Sequence, residues 1–175
     1  MPTLQQDQRY FQAGIQELKE YLLSKTLFWP LAAPMPRLTI GGLLLAQKRL
    51  QTENLGTRLD PKLATLREKW RAAWEKKAAH EFSARFNLWK NYLDDYHADP
   101  ETYAENYAHE IRWRVMLDLL ERELSSDPAE TEALLALDKI LQIKFVPGDF
   151  IWDKNLETGF SQSEYWFLYG RLKGR

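Results

Sequence analysis

Apolar side chains recur every three or four residues along most of the chain, the spacing that places them on one face of an α-helix. The longest such run predicts a single helix from Pro61 to about Tyr96. Its apolar positions are Leu63, Leu66, Trp70, Trp74, Ala78, Phe82, Phe86, Trp89, Leu93 and Tyr96. At 1.5 Å per residue this helix would be on the order of 50 Å long, so we expect it to form the spine of the fold.

The dipeptide Asp-Pro occurs at 60–61, 99–100 and 127–128, each time just before a helical pattern. Asp is a favourable N-cap residue, and Pro suits the first helical position because an N–H there has no partner within the helix. The three copies therefore predict three helix starts.

Further helices are predicted over about 4–25, 39–50, 100–124 and 128–141. Because only three residues separate the long helix from the one that begins at Pro100, these two should form an antiparallel hairpin over about 61–125. The predicted fold class is all-α: one domain over 1–175, a helical bundle of four or five main helices around the central hairpin, with a short aromatic C-terminal extension.

The helical spacing ends near Ile143. Residues 143–152 are aromatic and β-branched around Pro147-Gly148, which indicates an extended segment or a short hairpin. A Ser-x-x-Glu capping box at 161–164 predicts a short terminal helix over 162–169. The aromatics of this segment either cap one end of the bundle or form a partner-binding surface. The candidates for such a surface are Trp152, Tyr165, Trp166 and Tyr169.

Composition narrows the class of protein. The chain has 175 residues, 45% of them hydrophobic, and no cysteine, so a disulfide framework and thiolate metal sites are excluded. The apolar stretch 27–46 is interrupted by prolines, Arg37 and a glycine pair, so we expect no membrane span. With no secretory signal visible, a cytoplasmic location is predicted.

Charge is distributed unevenly. Residues 1–90 contain 15 Lys and Arg against 8 Asp and Glu, whereas residues 91–132 contain 3 against 12. A basic half with interleaved tryptophans suggests nucleic-acid binding. However, the tryptophans lie on the apolar stripe, and the hairpin would place acidic residues opposite the basic ones. Nucleic acid is therefore an unlikely partner.

Arg112 is the sharpest candidate for ligand binding. On an ideal helix it projects between two apolar arcs, and a buried guanidinium must be paired. It either forms a structural ion pair with Glu105 or with an acid from the long helix, or binds an anion, with Tyr103 and Tyr107 one helical face away. These four residues form the candidate ligand site.

The hairpin tip offers a weak metal site formed by Asp94, His97 and Glu101. Surface polar residues near a turn explain the same pattern, so no metal and no cofactor is expected. Catalytic motifs such as a Gly-rich phosphate loop or H-E-x-x-H are missing from the sequence, which favours a protein that is not an enzyme.

These patterns favour a non-enzymatic interaction or scaffold protein that binds a protein partner or itself, for instance as a homodimer through the aromatic tail or the 27–46 segment. The first alternative is a bundle that binds a small ligand or a metal. The second is a nucleic-acid-binding protein.

Overall fold

The computed structural model describes residues 1–55 and 58–174, which are mostly helical with one small antiparallel sheet. The helices are α1 (Leu4–Leu23), α2 (Ile40–Thr52), α3 (Asp60–Lys69), α4 (Arg71–Ala98), α5 (Pro100–Tyr103), α6 (Tyr107–Glu110), α7 (Arg112–Glu121) and α8 (Thr131–Lys144). The strands are β1 (Phe145–Phe150) and β2 (Tyr169–Leu172). Short 3₁₀ turns cover Ala104–Asn106, Lys154–Gly159 and Trp166–Leu168. The mostly helical character predicted from the sequence is confirmed.

Side-chain caps fix the starts of the first two helices. Thr3 and Gln6 form a reciprocal capping box at α1, and the Thr39 hydroxyl accepts a hydrogen bond from the Gly42 amide at α2. Each bond satisfies an amide that has no partner within its helix. The two helices pack against each other through buried apolar faces, represented by Phe11 in α1 and Leu43 in α2.

The predicted single helix over 61–96 is wrong at Trp70. The backbone of Trp70 leaves the helical region (φ −112°, ψ 35°), so that α3 ends at Lys69 and α4 begins at Arg71. The Trp70 amide still donates to the Leu66 carbonyl, and the Trp70 carbonyl accepts from the Trp74 amide. The site is therefore a bend, which lets α3 contact α1 while α4 packs along α7.

The predicted continuous helix over 100–124 is also wrong, because it divides into α5, a 3₁₀ turn, α6 and α7. The tighter 3₁₀ turn at Ala104–Asn106 changes the angular position of every later side chain relative to an ideal α-helix. Tyr107 is thereby buried, and its hydroxyl donates to the Phe167 carbonyl over 2.6 Å.

The hairpin itself is present. Contacts between its two arms run in opposite chain directions, since Trp74 contacts Glu123 and the later Arg85 contacts the earlier Trp113. Near the tip, the Tyr92 hydroxyl donates to the Tyr103 carbonyl. This order defines an antiparallel arrangement of α4 and α7.

The C-terminal segment differs from the predicted helix over 162–169. Strands β1 and β2 pair Phe145 with Leu172, so the extended character expected near residue 143 is present from Phe145 onward. The capping box does not form, because the Ser161 hydroxyl lies 3.3 Å from the Ser163 hydroxyl. The Glu164 amide instead donates to the Ser161 carbonyl in a turn.

Tyrosine hydroxyls attach this segment to the hairpin. Tyr96 donates to the Lys173 carbonyl over 2.8 Å, and Tyr165 donates to the Asp118 carboxylate over 2.9 Å. Both rings are essentially inaccessible to solvent. The aromatic segment therefore forms part of the hydrophobic core together with α1, α2, α4 and α7. None of the helices in the described ranges is long and apolar enough to cross a membrane.

Candidate functional site

A cleft of about 950 Å³ lies between α1, the loop before α2, the start of α7 and the residues that follow β1. Its lining combines arginines with aromatic and aliphatic side chains. The arginines are Arg9, Arg37, Arg49, Arg85 and Arg112. The apolar lining includes Tyr10, Phe28, Met35, Leu45, Trp113, Met116, Ile151 and Trp152.

The loop before α2 forms one wall of the cleft. Trp29 and Leu38 exchange two backbone hydrogen bonds, of 3.0 and 2.8 Å, which close the loop at its base. Phe28 and the segment 34–37 then face the cleft. The apolar stretch 27–46 packs on the protein itself through this loop and through buried α2.

Two glycines in the first turn of α2 let the side chains of Tyr10 and Glu81 lie close to the helix backbone. A Cβ atom added to Gly42 would lie 2.5 Å from the Tyr10 hydroxyl oxygen, and one added to Gly41 would lie 2.7 Å from Glu81 Oε1. The Gly41 amide donates to Glu81 Oε2 over 2.8 Å. The Gly pair, which weakens the helix by propensity alone, is thus required by the packing around Tyr10 and Glu81.

Arg85 is a buried cation at the cleft. Its side chain is 8% exposed, and its Nε donates to Oε1 of fully buried Glu81 over 3.3 Å. Its Nη2 donates to the Thr39 hydroxyl over 3.3 Å, whereas its Nη1 makes no hydrogen bond to the described residues. Burial raises the pKa of Glu81, and the Arg85 charge opposes that rise.

Arg85 and Arg112 both lie close to the ring of Trp113. The guanidinium carbon of Arg112 lies 3.8 Å from the ring centre and that of Arg85 lies 4.6 Å from it. The indole N–H donates to Glu110 Oε2 over 2.8 Å, which fixes the ring. Arg112 Nη1 donates to the His109 carbonyl and lies 3.7 Å from Glu110 Oε1. Burial lowers the pKa of Arg112, and the nearby charge of Arg85 acts in the same direction.

The remaining arginines of the cleft differ in how their charge is balanced. Arg49 forms a buried, two-pronged ion pair with Asp7, with N···O distances of 2.8 and 2.7 Å. Arg9 and Arg37 are exposed and form no ion pair within residues 1–55 and 58–174. The five arginines of the lining outnumber the carboxylates in and beside it, which are Asp7, Glu81, Glu110 and Asp153.

A guanidinium beside aromatic and aliphatic surface suits one kind of ligand. Planar N–H donors bind carboxylate or phosphate oxygens, and the apolar lining excludes water from the rest of the molecule. The arrangement can therefore hold an organic anion with an apolar body.

Of the four ligand-site candidates, the structure places Arg112 alone at this cleft. Tyr107 is 2% exposed and bonded to the Phe167 carbonyl, and Glu105 is exposed on the 3₁₀ turn. Tyr103 is half-buried and does not line the cleft. The expected ion pair of Arg112 with Glu105 is not formed, because the 3₁₀ turn rotates the helix and leaves Glu110 as the nearby acid.

The three metal candidates are not assembled into a ligand set. Asp94 is paired with Lys90 one helical turn away, and His97 and Glu101 are exposed on either side of the hairpin tip. Among the residues that the structure describes, no three His, Asp or Glu side chains come close enough to hold a metal ion.

The four aromatic candidates for an interaction surface have different environments. Tyr165 and Tyr169 are buried, at 0% and 8% exposure, and Trp166 is half-buried against Phe145. Trp152 lines the cleft, where its indole N–H donates to the Ala108 carbonyl over 3.0 Å. The segment thus contributes mainly to the core and, through Trp152, to the cleft.

Sequence reasoning overlooked Arg85, Glu81 and Asp7 as parts of the site. A signal was available, because Glu81 and Arg85 each lie three residues after an apolar position of the long stripe, and Asp7 lies four before Phe11. An ionisable residue in register with a buried stripe predicts a buried charge and hence a partner.

Comparison with protein-family models, with curated proteins and with solved structures found no match to the chain. What the protein binds must therefore be inferred from the chemistry of the cleft.

Proposed function

We propose that the protein is a non-enzymatic binding protein that takes an organic anion with an apolar body into the arginine-lined cleft. The observation behind this proposal is the convergence of five arginines with aromatic side chains on a cleft of about 950 Å³. Around the cleft, the helices are proposed to form a bundle centred on α4 and α7.

The charge balance and the size of the cleft support this proposal. Pockets for small ligands typically enclose about 300–1,000 Å³ and combine apolar walls with a few oriented polar groups. Arg112 is the cation best placed for a ligand, because its face is stacked on Trp113 and its single acidic neighbour lies 3.7 Å away. Stacking on the ring leaves the N–H donors at the edge of the guanidinium, where Nη1 already donates to the His109 carbonyl and the other donors can reach an anion.

The other hypotheses have less support. An interaction or scaffold role through the aromatic tail needs exposed aromatics, and Tyr165 and Tyr169 are buried within the chain. A metal-binding role needs a cluster of ligands, which the described residues do not form. For nucleic-acid binding the basic face would have to be free, yet Arg67 is paired with Glu123 across the hairpin.

A fluorescence titration with 8-anilinonaphthalene-1-sulfonate, an aromatic anion, tests the proposal. We expect saturable binding at one site. The Arg112→Ala variant should bind about tenfold more weakly, because a hydrogen bond to a charged group contributes about 1.5–3 kcal/mol. The matched control is Arg171→Ala, which removes an exposed arginine of β2 that does not line the cleft.

The stability of the unliganded variant distinguishes binding from a structural role. The Arg112–Glu110 contact is partly exposed and loose, so its loss should lower the free energy of unfolding by less than about 1 kcal/mol. Unchanged dye affinity together with a large loss of stability would show that Arg112 is structural and would contradict the proposal.

A further inference from the structure

Building on the proposed function, we infer that the anionic group of the ligand is a tetrahedral phosphate, as in a phosphate monoester of an apolar alcohol or phenol, and that Arg85 and Arg112 hold it jointly.

The first argument is the geometry around Trp113. Both guanidinium carbons lie over the same indole ring, at 4.6 Å for Arg85 and 3.8 Å for Arg112. A guanidinium stacked by its face on an aromatic ring presents its N–H donors at its edge. Both arginines also line the cleft, so two sets of N–H donors that approach the same ring are available to one cleft.

The second argument is that Arg85 is preorganised. It is buried and fixed by Glu81 through Nε and by Thr39 through Nη2. Its Nη1, at the end of the fork, makes no hydrogen bond within the described part of the chain. Because side-chain freedom is already lost in the unliganded protein, binding an anion at Nη1 costs little further ordering entropy. Glu81 is accordingly a positioning residue for Arg85.

The third argument concerns the shape and charge of the anion. A carboxylate offers two oxygens in one plane and one negative charge. A phosphate monoester offers three terminal oxygens in different directions, and close to two negative charges near pH 7. Two guanidiniums that line one cleft repel each other, so a dianion bound by both gains more than a monoanion does.

The apolar lining indicates what is attached to the phosphate. Phe28, Met116 and Trp152 line the same cleft as the two arginines, so an ester with an apolar organic group buries surface there. Inorganic phosphate lacks that group and should bind more weakly than an ester. Arg9 and Arg37, exposed on the cleft lining, add attraction for anions without forming the proposed site.

Calorimetric titration with phenyl phosphate, benzoate and inorganic phosphate tests this inference on the full chain. We expect phenyl phosphate to bind at least tenfold more tightly than either of the other two. In Arg112→Lys, which keeps the charge but loses the planar fork, the preference for phenyl phosphate over benzoate should fall several-fold. Arg171→Ala should behave like the unsubstituted protein.

A second readout reports the position of the anion. Burial lowers the pKa of His109, and Arg112 contributes in the same direction. A phosphate bound at Arg112 adds negative charge beside the imidazole, so NMR titration at saturating phenyl phosphate should show the pKa of His109 rising. His80 and His97 do not line the cleft and serve as internal references.

The outcomes separate this inference from the proposed function. Equal or tighter binding of benzoate would overturn the phosphate assignment while leaving an anion-binding cleft in place. Binding of phenyl phosphate without any change at His109 would also overturn it, because the phosphate would then lie away from Arg112. If phenyl phosphate, benzoate and the naphthalene sulfonate all failed to bind, both the inference and the proposed function would be rejected.

Discussion

Four buried charges of this protein form two ion pairs. Arg49 pairs with Asp7 between α2 and α1, and Arg85 pairs with Glu81 within α4. Removing one member of such a pair leaves an uncompensated charge out of water, which costs more than the pair itself contributes. Arg49 and Arg85 of the cleft lining are therefore held in place by the fold.

Replacing Arg85 by methionine should show how strongly the stability of the protein depends on the pairing of Glu81. Arg85→Met leaves fully buried Glu81 without its cation, and we expect a loss of about 3–5 kcal/mol in the free energy of unfolding. The measurement is urea denaturation at neutral pH. Lys90→Met, which removes an exposed cation from the same helix, should change stability by less than about 1 kcal/mol.

The double variant Glu81→Gln, Arg85→Met tests whether the unpaired carboxylate causes this loss of stability. A glutamine at this position removes the buried negative charge and can still accept the Gly41 amide, so most of the lost stability should return. If the double variant were as unstable as Arg85→Met, the loss would come from packing around the guanidinium and not from the unpaired carboxylate.

At the level of single residues, the sequence singled out Arg112, which lines the cleft, but gave it the wrong acidic neighbour. The requirement that a guanidinium near apolar surface be paired made Arg112 a candidate either for a structural ion pair or for binding an anion. The choice of Glu105 as its partner assumed an ideal helix of 100° per residue, and the 3₁₀ turn at Ala104–Asn106 invalidates that assumption. The turn goes together with a bond from the Tyr107 hydroxyl to the Phe167 carbonyl, a contact across 60 residues.

Among the elements, local chemistry predicted where helices begin better than where they bend. Two of the three Asp-Pro copies lie at the starts of α3 and α5, and the Asp99 carboxylate accepts the Thr102 amide as a cap. The third copy precedes α8 by a turn, since α8 begins at Thr131. The bend at Trp70 involves neither proline nor glycine, so the sequence contained no local signal for it.

The β1–β2 pair depends on one glycine. Gly170 has φ +152°, and a Cβ atom there would lie 2.2 Å from the Val146 carbonyl oxygen. Gly170→Ala should therefore lower the free energy of unfolding by about 1–3 kcal/mol, because both the backbone conformation and the strand pairing resist the added methyl group.

Gly174→Ala provides the matched control for this experiment, since a Cβ atom there would have no neighbour within 4 Å. Thermal unfolding followed by circular dichroism measures both variants against the unsubstituted protein. Equal melting temperatures for the two variants would show that the strand pair tolerates a side chain at Gly170.

On the scale of the whole molecule, the cleft arises from contacts between distant parts of the sequence. Its lining combines α1, the loop before α2, α4, the start of α7 and the residues after β1. Periodicity predicts which face of each helix is buried, and the short link at 97–99 predicts the hairpin. Neither predicts how the loop and the C-terminal segment dock, because that docking depends on long-range bonds such as Tyr96 to the Lys173 carbonyl.

The burial of that C-terminal segment leads to a prediction about assembly. A homodimer through the aromatic tail would have to cover aromatic surface, yet Tyr165 and Tyr169 are already covered by their own chain. We therefore expect native mass spectrometry to show a monomer that binds one phenyl phosphate per chain. Arg112→Ala should remain a monomer and lose most of the bound mass at the same ligand concentration.

A dimer would change the interpretation in a specific way. The hydroxyls of Tyr96 in α4 and Tyr165 in the tail bond the tail to the hairpin within one chain. Dimerisation would therefore require exchange of this segment between two chains, or a different surface. The exposed apolar residues of α8, Leu135, Ile140 and Ile143, offer such a surface. A dimer that Leu135→Glu dissociates, and that binds no phenyl phosphate, would favour the interaction role over ligand binding.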